Sequence, residues 1–179
     1  MSGATSFTSV PIVDISGLNS AEPADRERVA SEIGKAAGEV GFFYVSGAGV
    51  DESLFERMLA STKEFFALPV EEKMRSYIGL SQCHRGYVPV GEEGVESGTP
   101  DLKEAFDTAL DLPADDPDYL AGNPMLGPNV WPDLPGFAEA VTQYYHAVLD
   151  VGQRLLVAFA VALNEDPDTF SRHATKTPS

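Results

Sequence analysis

A chain of 179 residues with 43 % hydrophobic side chains has the length of one ordinary domain, or of one half of a larger one, and is too apolar for general disorder. Its 28 acidic against 12 basic residues leave a net charge of -16, a negative field that argues against a phosphate-backbone partner, so no nucleic-acid role is expected. The lone cysteine, Cys83, excludes an internal disulfide and a cysteine-based zinc site, and residues 1–10 hold neither Lys nor Arg nor a long apolar run, so the expected setting is cytosolic with no membrane partner.

The first element predicted is a brief strand over residues 11–15, a β-rich run halted by Ser16 and Gly17. Apolar residues at Val29, Ile33, Ala36, Ala37 and Val40 then recur at helical spacing, with Pro23 near the start and Gly41 at the end, which predicts an amphipathic helix. The aromatic and β-branched run at 42–45, closed by Ser46 and Gly47, predicts a buried strand. A second helix is predicted from an N-cap at Asp51, with Leu54, Phe55, Met58, Leu59, Thr62, Phe65 and Phe66 on one face and Pro69 as its stop. Residues 70–74 add a short helical turn.

Periodicity fails from 79 to 98, where glycine recurs, and the segment reads as a loop with at most a short strand at Tyr87 and Val88. Alternation of Phe106, Thr108 and Leu110 predicts a strand within 103–110. Residues 113–135, rich in proline and glycine, form a connector with Trp131 as a buried anchor. The longest helix follows, with Phe137, Val141, Tyr144, Val148, Val151, Leu155, Phe159 and Ala162 stepping by three or four. Tyr145, Leu149 and Leu156 lie off that stripe, so a second covered surface, and hence dye binding or self-association of the isolated chain, is expected. These elements divide the chain into an α/β region over 1–112, the connector over 113–135, and a helical segment over 136–179.

Chemistry read from residue types is sparse. A mononuclear iron site takes two histidines and a carboxylate on one face of the metal. His84, His146 and His173 each lack a carboxylate two residues later, so no metal ligand and no catalytic residue is assigned. Cys83 and His84 are neighbours, and neighbours on an extended segment point apart, which disfavours a thiol nucleophile. The turn Gly91-Glu92-Glu93-Gly94 carries acids where a phosphate loop needs amides and a lysine. Lys103 and Glu104 could form a catalytic acid-base couple, but neighbouring charges on a half-exposed strand favour a structural role. Arg85 and Tyr87, two apart on an extended backbone, share a face on which a guanidinium can clamp a carboxylate and a phenol can add a hydrogen bond, although from chemistry alone a surface salt bridge is the favoured reading.

Taken in order, several motifs resemble the amino-terminal region of the isopenicillin N synthase-like 2-oxoglutarate/Fe(II) oxygenase family. They are Pro11-Ile12-Val13-Asp14-Ile15, Gly41-Phe42-Phe43-Tyr44-Val45, Phe65-Phe66-Ala67-Leu68-Pro69 with Glu72-Lys73, Arg85-Gly86-Tyr87-Val88-Pro89, Asp101-Leu102-Lys103-Glu104 with Phe106, and Gly127-Pro128-Asn129-Val130-Trp131-Pro132. One position departs, since members commonly carry His-Gly where this chain has Ala48-Gly49. The resemblance implies an α+β fold in which helices and short strands pack on a double-stranded β-helix, or jelly roll, that is mostly absent from this chain. It implies Fe(II) and 2-oxoglutarate as cofactors of the full-length protein, bound by residues beyond Ser179, with the chain alone inactive and the jelly-roll core as its partner. It implies a small-molecule substrate, with Arg85, Tyr87 and, more weakly, His84 as substrate-binding residues. The alternatives are a truncated, non-catalytic module that holds an acidic ligand at the Arg85 loop, and a thiol enzyme built on Cys83.

Overall fold

In the computed structural model, residues 9–93 and 100–176 are described; residues 94–99, the end of the predicted loop with Gly94 of the acidic turn, lie outside them, as do 1–8 and 177–179. The elements run β1 (Ile12–Asp14), α1 (Pro23–Glu39), β2 (Tyr44–Ser46), α2 (Glu52–Phe66), α3 (Val70–Lys73), β3 (Gly86–Val88), β4 (Ala105–Asp107), α4 (Pro117–Leu120) and α5 (Phe137–Ala162), with short 3-10 turns between them. Compactness divides the chain differently from composition. One unit comprises residues 1–51 and 146–175, the other residues 52–145 and 176–179.

In the first unit β1 and β2 pair in parallel, Ile12 opposite Tyr44 and Asp14 opposite Ser46, with α1 as the connection that a parallel pair requires. Pro23 occupies the first turn of α1, where its missing N–H costs nothing, and Gly41 at φ +93° leads the chain out of the helix. Of the helical stripe predicted from spacing, Val29, Ile33 and Ala36 are buried and Ala37 and Val40 only half-buried; with Ala30 beside them the buried three pack with Val13 and Ile15 of the strand region and Val151 and Ala158 of α5. Arg154 of α5 ties the β2 exit in place, donating to the Ala48 carbonyl oxygen at 2.8 Å and to Asn19 Oδ1 at 3.0 Å. The expectation of a buried strand at 42–45 is corrected. Phe42, Tyr44 and Val45 are all exposed, as is Ile12 beside them. Only the inner face of this two-stranded pair meets α1 and α5, and among the described residues no third strand or helix covers the other.

The second unit is built on an aromatic cluster. Phe65 near the end of α2 is fully buried, with the rings of Phe66, Phe106 and Phe137 centred 5.0 to 5.2 Å away and Tyr87 at 5.9 Å. Most of these are edge-to-face or tilted contacts, as ring quadrupoles favour. Trp131 stacks on Phe106, and its indole N–H donates to Asp111 Oδ2 at 3.0 Å, so it ties down the proline-rich connector while half-buried, not buried as expected. β3 and β4 pair antiparallel, Tyr87 opposite Phe106 and Gly86 opposite Asp107. Because strand side chains alternate, Tyr87 and Phe106 enter the cluster together and Gly86 and Asp107 fall on the other face. By length and composition α5 is apolar enough to cross a membrane, yet Phe137 and Val141 serve the aromatic cluster, Val151 and Ala158 serve the other core, and Asp150 and Arg154 interrupt the span.

Candidate functional site

The loop singled out in the sequence begins with two linked turns. Ser81 Oγ accepts the Cys83 N–H at 3.1 Å, and Cys83 is buried with its Sγ 3.6 Å from the Pro128 carbonyl oxygen. Arg85 is only 2 % exposed, and its guanidinium gathers backbone: Nη1 donates to the carbonyls of Cys83 at 2.6 Å and His84 at 2.9 Å, and Nη2 to that of Met125 at 2.7 Å. One guanidinium thereby ties together three carbonyls from two separate segments of the chain. Pinned on both sides, His84 adopts a left-handed backbone, φ +56°, and its side chain is exposed.

Gly86 comes next, at φ +121°, where a Cβ would lie 2.3 Å from the Ser76 carbonyl oxygen. Only glycine fits. A Gly86→Ala variant is expected to lose at least about 2 kcal/mol of stability, because a backbone atom cannot yield as a side chain does; a urea midpoint unchanged from the parent would contradict this. The backbone turn at His84 and Gly86 also breaks the alternation that would align Arg85 with Tyr87. They go to different neighbours, Arg85 to the carbonyls and Tyr87 into the aromatic cluster.

Tyr87 carries a second feature that no local spacing signals. Its hydroxyl donates to Glu104 Oε2 at 2.6 Å, the same oxygen that receives Lys73 Nζ at 2.6 Å, and Lys73 also donates to the Phe66 carbonyl at 3.2 Å. Lys73 is 4 % exposed and sits over the Tyr87 ring, 5.3 Å from its centre. Burial, and then the hydrogen bond to Glu104, push the Tyr87 phenol up to about 12. The hydrogen bonds from Lys73 and Tyr87 hold the Glu104 carboxyl below its usual range. Lys103, the sequence neighbour of Glu104, pairs instead with Glu93 and Asp101.

On the opposite face of the ribbon, Asp107 is exposed and its carboxyl is pushed up, first by partial burial and then by the charge of Glu93, with Lys103, Arg85 and His84 pulling it down. Sequence reasoning passed over Asp107; the available signal was an acid at the outward phase of the strand immediately after Phe106.

Among the described residues no group of three or more His, Cys, Asp or Glu side chains could hold a metal ion. His84 belongs to one unit, His146 and His173 to the other. The described residues therefore do not fit an iron site. A separate open depression of about 350 Å3 is lined by Asp150, Gln153, Arg154, Val157 and Ser171, and its guanidinium is already committed to Asp150, Asn19 and Ala48.

Comparison with known proteins places these features. The chain is 34 % identical over 175 residues to homoarginine-6-hydroxylase of Arabidopsis thaliana, covering 93 % of this chain and 52 % of that protein. It is 33 % identical over 168 residues to a 2-oxoglutarate-Fe(II) type oxidoreductase of Emericella nidulans, covering 91 % and 48 %. A crystal structure of a 2OG-Fe(II) oxygenase family protein from Caulobacter crescentus superposes with a TM-score of 0.77 at 29 % identity, over 92 % of this chain and 52 % of that one. The chain thus spans about half the length of the relatives it matches. Fe(II) and 2-oxoglutarate, expected from the motifs, are the cofactors of these relatives. The ordered motifs all lie within the stretch matched by one family description, and with residues 10–134 matching the family described as non-haem dioxygenase in morphine synthesis, N-terminal, the chain belongs to that dioxygenase family.

Proposed function

We propose that this chain is the amino-terminal half of a Fe(II), 2-oxoglutarate-dependent oxygenase that oxidises a small organic molecule, and that it supplies part of the substrate wall while the iron and co-substrate ligands lie in a carboxy-terminal jelly roll. The observation that carries this reading is the match over nearly all of this chain to about half of each relative, joined to the lack of a metal-holding cluster among the described residues. At the wall, His84 makes the direct contact. Arg85 and Tyr87 serve it as positioning residues, the first fixing the turn that turns His84 outward, the second anchoring β3 in the aromatic cluster. Since the Arabidopsis relative is named for homoarginine, an amino acid with a guanidinium side chain is the first substrate to try.

Residues 1–179 alone, incubated with Fe(II), ascorbate and 2-oxoglutarate, are expected to release no succinate above a metal-free control, because the described residues bring no facial triad together. Succinate above that control would overturn the division of labour.

A further inference from the structure

We draw no further inference here: the strongest candidate, the outer face of the β1–β2 pair, on which Ile12 and Tyr44 lie side by side and exposed, carries nothing, because nothing in the structure shows what covers it.

Discussion

Phe65→Ala is expected to cost about 3–5 kcal/mol, the largest effect of any single truncation in the unit formed by residues 52–145. The ring is fully buried and is the common neighbour of four others, Phe66, Tyr87, Phe106 and Phe137. Its removal forfeits the transfer free energy of the phenyl group and opens a void that rigid aromatic neighbours fill poorly. Phe55 provides the control, since it lies on the same helix, is nearly half exposed and has one ring neighbour, Tyr144 at 6.0 Å. Phe55→Ala should therefore cost no more than about 1 kcal/mol. Urea unfolding followed by circular dichroism separates the two; similar midpoints for both variants would mean that the cluster is not the core of this unit.

Glu104→Ala is expected to be nearly as damaging, about 3 kcal/mol, for an electrostatic reason. It strands Lys73 in the interior with only the Phe66 carbonyl and the Tyr87 ring for company. The estimate sits at the lower end of the range for broken buried pairs because Glu104 keeps some solvent contact. Lys73→Met in the same background should recover most of the loss, since no charge is then left unpaired. The network also sets a pH window. The Tyr87 phenol holds its proton more tightly in the folded chain, about 12 against an ordinary 10.0, so its contribution is complete below pH 10 and disappears as the pH rises toward 12. Glu104 behaves in the opposite sense: its lowered value makes its contribution complete above the ordinary 4.5 and progressively lost as the pH falls below it. Urea midpoints between pH 10 and 12 should fall more steeply for the parent than for Tyr87→Phe. Parallel profiles would show that the phenol carries no such linkage.

Local patterning made much of this fold legible. Helical spacing located α1, α2 and α5, and the buried residues of α1 are four that its stripe predicts or adjoins. The strand at Gly86–Val88 and the one at Ala105–Asp107 fall within the predicted segments. The exposure of Phe42, Tyr44 and Val45 was not legible, because an apolar strand announces only that it is suited to cover, not which elements supply it. The Lys73–Glu104 contact joins residues 31 apart, and nothing in the immediate surroundings of either indicates its partner. Lys103 and Glu104, neighbours in sequence, go to different partners, since neighbouring side chains on an extended segment diverge. At the Arg85 loop the orientations of the side chains were not legible. Two left-handed positions, His84 and Gly86, redirect Arg85 and Tyr87, and positive φ at histidine is set by tertiary contacts that a sequence does not display.

The first unit draws on both ends of the chain, residues 1–51 and 146–175, whereas the second is almost continuous. On a ribosome, the opening βαβ segment emerges first but must wait for Val151 and Ala158 to complete its core. At about 5–20 residues per second, the intervening stretch takes on the order of 5–20 s to synthesise. During that interval Val29 and Ile33 have no α5 to meet, and the later segment, 52–145, is able to finish folding before the earlier one. Nascent chains halted before residue 146 should accordingly be the ones that chaperones hold longest.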